Sequence, residues 1–497
     1  MTALAPLFVG LPLAGAFLAA LLGRRYARFP EASGVVTALV VFVLSLLALV
    51  AVHRQGAIVY AVGAWEAPLG ITMVLDGFSV FMLVTVNLVA LLVTVFSLDY
   101  MRRFTAGWLF YTLFLLMLAG MNGVVVSGDM FNLFVFLEVA AVSSYVLVAF
   151  GTGKHELEAA FKYAVMGTLG SLFILLGVAL LYARTSTLNM ADMANVIVAE
   201  GGGRVLSLVS ALVLAGFGLK AAAVPFHAWL PDAHPSAPAP ISAMLSGVLI
   251  KSLGVYALCR VFFTVIGFTP QVSSILMFLG VVSMLAGVFL AVGQWDLKRL
   301  LAYHSISQIG YVLLGIGLGT PLGIAGGLFH LFNHSLFKSL LFLDSGAIEY
   351  ATGTRDLKRM GGLSRKMPVT SSTTFVASMS IAGIPPFNGF WSKLVIIVAA
   401  VEVGRYGYAF LAVLASVLTL ASFTKVLRYA FQGRGGDMTE SCHEVPVLMR
   451  AAMIALAALC LVGGLLLLPG PREYFIDMAG QALTDTVHTA TVISEVR

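Results

Sequence analysis

The sequence predicts an all-α polytopic membrane protein with about 14 transmembrane helices. Three observations support this fold class. Of the 497 residues, 60% are apolar and only 10% are charged. Apolar runs of about 20 residues, the length that crosses a bilayer, recur along the whole chain. The basic residues cluster in alternate connections between these runs, as they do in membrane proteins. A soluble globular core does not fit this pattern.

The predicted spans come from a sliding hydropathy window of about 19 residues. The first, within MTALAPLFVGLPLAGAFLAALLG, has no basic leader, so we expect it to be retained as a membrane span. In chain order the spans are 3–22, 34–52, 76–98, 109–126, 129–150, 160–182, 206–224, 240–264, 272–293, 298–319, 322–346, 368–401, 407–430 and 447–468.

The basic residues separate by connection and thereby predict the orientation. Connections after even-numbered spans hold little beyond Arg54, Arg184, Arg204 and Arg405. The positive-inside rule therefore places the odd-numbered connections in the cytoplasm and both termini outside. The basic residues of those odd-numbered connections are Arg24, Arg25, Arg28, Arg102, Arg103, Lys154, Lys298, Arg299, Arg355, Lys358, Arg359, Arg365, Lys366 and Arg434.

Composition argues against several kinds of partner and cofactor. The net charge of +6 reflects loop topology, so we expect no nucleic-acid binding. Cys259, Cys442 and Cys460 have no CxxC spacing, which predicts neither an iron–sulfur site nor a disulfide framework. No strand is evident and no GxGxxG follows one, so no flavin or nucleotide site is expected. We expect no cofactor and no redox or hydrolytic chemistry on this chain.

Prolines interrupt spans 7 and 12 in matching ways. Span 7 contains Lys220 shortly before Pro225, and span 12 contains Pro385 and Pro386 ahead of Lys393. Proline removes a backbone donor and breaks a helix, which is tolerated at membrane depth only where protein or water satisfies the freed carbonyls. Proline kinks of purely structural origin are the alternative, but two breaks that each have a lysine nearby favour a functional role.

The two breaks lie five spans apart, and this odd offset predicts an inverted repeat. The predicted organisation is helices 1–3 in residues 1–108, a first five-helix repeat in 109–264, a second in 272–430, and the last helix with its tail in 447–497.

Charged and titratable residues inside spans are the candidate site. Each charge at the bilayer centre costs about 2.5–3.5 kcal/mol on insertion scales, so a set of them needs a functional reason. His330, His334 and Lys338 are four residues apart, a spacing that keeps them on one face of a helix. We interpret the row as successive proton-binding groups of a proton-transfer path. The candidate proton-pathway residues are Glu138, Lys220, Lys251, His330, His334, Lys338 and Lys393.

Alternatives remain open for several of these residues. Glu138 and Lys220 could form a structural ion pair. The two histidines could bind a metal as HxxxH does, although no carboxylate or cysteine completes a ligand set in that span and Lys338 would repel a cation, so we expect no metal site. His304 fits a hydrogen-bonded packing residue. Asp344 is undecided between a partner for Lys338 and part of an exit path.

Five segments together resemble a known family. They are DMFNLFVFLEV, GLKAAAVPFHAWLPDAHPSAPAPISAMLSGVLIKSLGVYAL, KRLLAYHSISQIGY, HLFNHSLFKSLLFL and GIPPFNGFWSKL. They are similar to the antiporter-like subunits of complex I, of membrane-bound hydrogenases and of multisubunit Mrp-type Na⁺/H⁺ antiporters. The resemblance runs from about span 3 to span 13. It implies a 14-helix fold with two inverted five-helix repeats and a buried charged chain that conducts protons along the membrane midplane.

The resemblance also assigns roles to residues of this chain. Glu138 matches the glutamate of span 5, and Lys220 matches its lysine partner in span 7. Lys251 matches the connecting lysine of span 8, and Lys393 the lysine of span 12. His330 and His334 match the histidines of span 11.

Within the family, two kinds of host complex remain open. Chain length, FNLFVFLEV and Lys393 favour the D-type component of an Mrp antiporter, whereas FHAWLPDAHPSAPAPISAMLSGVLIK and YATGTRDLKRMGGL are as similar to hydrogenase and complex I relatives. The expected partners are other membrane subunits, protons, possible Na⁺ and the lipid bilayer. The expected location is the prokaryotic cytoplasmic membrane.

Overall fold

Helices account for most of the described chain in a computed structural model, which describes residues 4–433 and 442–485. Arg434 and the tail beyond residue 485, both used in the sequence predictions, lie outside the described residues. The helices of the first half are α1 (Leu7–Leu22), α2 (Phe29–Gln55), α3 (Gly77–Tyr100), α4 (Gly107–Val126), α5 (Met130–Val148), α6 (Lys154–Thr185), α7 (Met190–Glu200), α8 (Arg204–Lys220), α9 (Leu230–Ser236), α10 (Ala239–Met244) and α11 (Ala257–Arg260).

The second half continues in the same way. Each of the 14 predicted spans coincides with a helix or with a closely linked series of helices. The helices are α12 (Pro270–Val292), α13 (Leu297–Gly317), α14 (Pro321–Thr352), α15 (Leu363–Lys366), α16 (Pro368–Ala382), α17 (Asn388–Glu402), α18 (Tyr406–Val426), α19 (Val447–Val462) and α20 (Met478–Thr484).

The burial pattern is that of a membrane protein. Ten helices of the described chain are long and apolar enough to cross a bilayer. Large apolar side chains such as Phe161 and Phe410 are exposed on the outer helices, where water would disfavour them and lipid or a neighbouring subunit would not. The polytopic α-helical fold is therefore confirmed.

The most buried helices lie at the centre and carry the polar side chains. The span Ala239–Ile266 is fully buried inside the protein, and α13 is nearly so. Along α14, every residue from Gly323 to Ile348 is buried. A helix that is buried on all faces offers no side to lipid, so the charges of α14 have only protein around them.

A short β-hairpin contradicts the expectation that the chain has no strands. Strands β1 (Ile58–Ala61) and β2 (Thr72–Leu75) pair antiparallel between α2 and α3. The hydropathy window averages over about 19 residues and so cannot register strands of four. The hairpin is tied to the start of α7, because Asn189 Nδ2 donates to Thr72 Oγ1 at 3.0 Å. Helices α7, α9 and α20 were not predicted either, because they are also too short for this window.

Both predicted helix breaks are present. Helix α8 ends at Lys220, and Pro225 lies in the turn that leads to α9. Helix α16 ends at Ala382, and Pro385 and Pro386 lie before α17. The breaks are confirmed. The inverted repeat and the boundaries 1–108, 109–264, 272–430 and 447–497 stay predictions.

Protein groups satisfy the carbonyls that the breaks release. Trp229 Nε1 donates to Leu219 O at 3.1 Å in the first break. Lys393 Nζ donates to Ile381 O at 2.7 Å in the second. The candidate lysine of span 12 is therefore held by the broken backbone itself, as the sequence argument required.

Candidate functional site

The first element of the candidate site is an ion pair between α5 and the end of α8. Lys220 Nζ lies 3.5 Å from Glu138 Oε1. Lys220 also donates to Tyr145 Oη at 3.4 Å, and Ser171 Oγ donates to Glu138 Oε1. The lysine side chain is 4% exposed and the glutamate 29%. Glu138 therefore connects a buried cation to the lateral surface of the protein.

Lys251 lies in the most irregular part of the fully buried span. Residues Leu245–Leu249 and Lys251–Tyr256 are π-helical, and the Lys251 ammonium donates to Ser246 O. A π-helical turn widens the helix and frees carbonyls, and such turns are frequent at functional sites. Ser246 Oγ is hydrogen-bonded to Ser305 Oγ of α13 at 2.7 Å, which extends the polar interior across the bundle.

The α14 row is buried as predicted, but its members face different neighbours. His330 Nδ1 is hydrogen-bonded to Ser392 Oγ of α17 at 2.9 Å. The Lys338 ammonium donates to Leu301 O of α13. The His334 ring, 6.2 Å from that of His330 between centroids, has no hydrogen-bond partner within the described chain. A four-residue spacing rotates by about 40° per step, and this drift directs the row from α17 towards α13.

Lys393 forms the far end of the candidate site. Besides Ile381 O, its ammonium donates to Ser416 Oγ at 3.2 Å and lies 4.7 Å from the centre of the Tyr311 ring. A cavity of about 220 Å³ adjoins it, lined by residues of the break, α17 and α18. The lysine is thus buried and still borders a space that opens at the surface.

The lysines at the centre of this site have no acidic partners in the part of the chain that the structure describes. Of the four candidate lysines, only Lys220 forms a salt bridge within the described residues. Lys251, Lys338 and Lys393 contact carbonyl and hydroxyl oxygens instead. Unpaired buried lysines are costly as cations and can give up their protons, which is the property that a proton path needs.

Sequence reasoning missed one histidine of this interior. His234 of α9 is fully buried, its ring lies 5.1 Å from that of Phe342 between centroids, and neither ring nitrogen has a hydrogen-bond partner among the described residues. The residue stood in the PDAHPSAP motif but outside every hydropathy span. The sequence feature that could have drawn attention to His234 was its position in the connection between spans 7 and 8, close to three prolines.

Two of the alternatives weighed for single residues are answered by contacts. His304 Nε2 is hydrogen-bonded to Ser422 Oγ at 2.9 Å, which fits the packing interpretation. Within the described residues Asp344 forms no salt bridge with Lys338, whose ammonium donates to Leu301 O, and Asp344 Oδ1 accepts instead from Thr373 Oγ1 at 2.8 Å. Within the described ranges, no three His, Cys, Asp or Glu side chains gather as metal ligands would, so His330 and His334 have no third ligand there.

Comparison with known proteins relates this architecture to a family. The model of the transmembrane family "NADH:quinone oxidoreductase/Mrp antiporter" matches residues 127–419. The model of the N-terminus of chain 5 of NADH-ubiquinone oxidoreductase (complex I) matches residues 62–111.

Curated relatives cover most of the chain. The D-type component of the Na⁺/H⁺ antiporter of Alkalihalophilus pseudofirmus is 35% identical over 453 residues, 91% of this chain and 92% of the relative. The N-type component of the NADH-quinone oxidoreductase of Desulforudis audaxviator is 37% identical over 438 residues, 87% of each chain.

Solved structures share the whole fold. A chain of the Mrp complex from Dietzia sp. DQ12-45-1b superposes with a TM-score of 0.91 at 30% identity, over 99% of this chain and 100% of that one. A chain of the archaeal membrane-bound sulfane sulfur reductase gives 0.89 at 29% identity, with the same coverage. The chain therefore belongs to the family of NADH:quinone oxidoreductase and Mrp antiporter transmembrane subunits.

Proposed function

We propose that this chain is the proton-translocating membrane subunit of a multisubunit Mrp-type Na⁺/H⁺ antiporter, in the role of its D-type component. The observation that carries the proposal is the series of titratable groups that runs from the partly exposed Glu138 through buried lysines and histidines to Lys393. Of these lysines, only Lys220 has an acidic partner in the described chain. Similarity to the D-type antiporter relative over nine-tenths of both chains supports the choice of complex.

The proposed path begins at the Glu138 and Lys220 pair. A nearby carboxylate favours the charged form of a lysine, so weakening the pair releases the Lys220 proton and strengthening it retains the proton. The partly exposed Glu138 makes the pair sensitive to whatever packs on that surface, which in a complex is another membrane protein of the assembly. The state of the neighbour thereby sets the proton affinity of Lys220.

Protons then move through the interior towards the second break. We infer the order Lys220, Lys251, the α14 row and Lys393, with water bridging the gaps between groups that are not in hydrogen-bond contact. His334 can accept and donate because both of its ring nitrogens are free of partners within the described residues. These coupled groups titrate as a set, so no single group sets the pH dependence of transport.

The proposed setting is the prokaryotic cytoplasmic membrane with both termini outside. The distribution of basic residues supports this orientation. The partners are the other membrane subunits of the complex, and the substrates are protons and Na⁺.

Replacement of Lys220 tests the path. Lys220→Ala removes the group whose proton affinity the pair controls, so transport should fall to the background of vesicles without the complex while assembly is retained. Glu138→Gln should be nearly as severe, because the amide keeps the shape and loses the charge. The measurement is Na⁺-dependent dissipation of a pH gradient in inverted membrane vesicles.

Lys154→Ala is the matched control, because Lys154 is exposed at the start of α6. It should transport like the wild type. Wild-type transport by Lys220→Ala in a correctly assembled complex would eliminate the proposed path.

A second candidate function is proton pumping in a redox-driven complex. The 37% identity to a component of an NADH-quinone oxidoreductase and the fold shared with a respiratory reductase chain favour it. Purification of the complex in mild detergent followed by mass spectrometry discriminates the two. Small hydrophobic partners alone support the antiporter, whereas stoichiometric cysteine-rich cluster proteins support the pump.

A further inference from the structure

Asp344 is a buried acid that the proton path does not use. It lies in α14 about two helical turns, or roughly 12 Å, before the end of the helix, and it is 1% exposed. Its Oδ1 accepts from Thr373 Oγ1 at 2.8 Å, whereas Oδ2 has no hydrogen-bond partner within the described chain. No salt bridge of the described residues includes it.

The other buried aspartates of the described chain have evident structural roles. Asp76 pairs with Arg260, and Asp99 with Arg102. Asp129 caps α5 by accepting from Asn132 N at 2.7 Å. Asp344 neither pairs with a base nor caps a helix. A carboxyl in such surroundings holds a proton or a bound cation, because an isolated buried charge is too costly.

The Thr373 hydroxyl contacts this carboxyl and the Thr374 hydroxyl also lies near it, in contrast to the nitrogen atoms of the α14 row. Thr373 Oγ1 lies 3.1 Å from the carbonyl oxygens of both Val369 and Thr370. Within residues 4–433 and 442–485, the titratable groups that face Asp344 are Glu444 and Cys460, and neither is a cation. Hard cations prefer carboxylate, hydroxyl and carbonyl oxygens, whereas ammonium and imidazolium groups repel them.

Glu444 connects Asp344 to the aqueous end of α16. Its carboxylate accepts from Val369 N at 2.8 Å and from Thr370 Oγ1 at 2.6 Å, and it is only partly buried. Its negative charge is offset by the amides at the start of α16. Among the described residues here, Asp344 therefore supplies the one uncompensated negative charge, and a single charge suits a monovalent cation better than a divalent one. Thr373 also lines a groove of about 450 Å³ between α16 and α19.

We propose that Asp344, with Thr370, Thr373 and Glu444, forms a cation site that exchanges Na⁺ for a proton. When Na⁺ binds at Oδ2, the carboxylic proton leaves to water on the Glu444 side and the carboxylate remains; reprotonation expels Na⁺. The inference rests on the proposed function, because it gives the cation of an antiporter a binding place separate from the lysines and histidines that conduct protons.

The test is ²²Na⁺ binding to the purified complex. Asp344→Asn should bind one Na⁺ fewer per copy of the chain than the wild type, and the proton release that accompanies binding should fall with it. Asp477→Asn is the matched control, since Asp477 is already paired with Arg472 near the surface, and it should bind as the wild type does. Unchanged stoichiometry and affinity in Asp344→Asn would overturn the proposal, as would loss of proton release alone.

Two further variants keep the test decisive. If Asp344→Asn does not assemble, Thr373→Val should weaken Na⁺ binding about tenfold, equivalent to about 1.4 kcal/mol, and Thr373→Ser should restore it. Unchanged affinity in Thr373→Val counts against the site. Lys220→Ala should keep full Na⁺ binding, so failure of the proton path and failure of the cation site give different results.

Discussion

At the residue scale, the effect of a buried cation on the free energy of unfolding depends on whether an acidic side chain pairs with it. Among the described residues, the Lys338 ammonium has the carbonyl oxygen of Leu301 as its hydrogen-bond partner and lies 5.3 Å from the Phe342 ring. Arg260 is equally buried but donates to both oxygens of Asp76, at 2.6 and 2.8 Å. A buried cation without an acidic partner destabilises a fold. When a buried cation does have such a partner, removal of the partner leaves an uncompensated buried charge, which is also destabilising. Lys338 therefore lowers the stability of the fold, and we propose that its role in the proton path is the reason for its presence.

Lys338→Met should separate function from stability. Methionine fills a similar volume without charge, so transport should be lost while the midpoint of thermal unfolding stays the same or rises. Transport in vesicles and thermal unfolding of the purified complex measure the two effects. A lower midpoint together with wild-type transport would mean that Lys338 is structural.

At the element scale, the second break positions Lys393. Gly383, directly after the end of α16, is in a left-handed conformation with φ +79°. A Cβ at this position would lie 2.9 Å from Lys393 Cδ and 3.2 Å from Ser416 Oγ. Glycine is needed here both for the backbone conformation and for the space that the lysine occupies.

Gly383→Ala should reduce both stability and transport. The left-handed conformation costs about 1–2 kcal/mol for a residue with a side chain, and the added methyl group displaces Lys393. Gly353→Ala is the control, because Gly353 has φ +69° and no atom within 4 Å of the added methyl group. It should lose similar stability and keep transport. Equal transport in the two variants would show that the geometry around Lys393 is unimportant.

At the scale of the whole molecule, one ion pair joins distant parts of the chain. Asp76 begins α3 directly after the β-hairpin, and Arg260 ends α11 within the central span, 184 residues away. Tyr256 reinforces the junction, since its hydroxyl donates to Val125 O at 2.7 Å. The pair connects the amino-terminal helices to the span that carries Lys251.

Asp76→Asn should destabilise the whole protein. Asparagine can still cap α3, so the variant isolates the loss of charge, and breaking a buried pair costs about 3–5 kcal/mol. Denaturant unfolding of the purified chain in detergent would measure it. If the free energy of unfolding falls by much less than about 1 kcal/mol, water screens the Asp76–Arg260 pair.

Local signals in the sequence determined the membrane fold, the helix breaks and most of the candidate site. Apolar runs, prolines and buried charges each act within one span, so Lys220, Pro225 and Lys393 could be identified without knowing what packs beside them. The hairpin and the helices α7, α9 and α20 could not be predicted in this way, because they are too short for a hydropathy window.

Only the tertiary structure decided what each buried group contacts. The hydrogen bond between His330 and Ser392, the contact of the His234 ring with that of Phe342, and the hydrogen bond from Thr373 to Asp344 all depend on side chains from other helices. Spacing along a helix tells which residues share a face, but the partner across that face comes from far away in sequence. For that reason Asp344 could not be interpreted from the sequence, whereas its contacts with α16 separate it from Lys338.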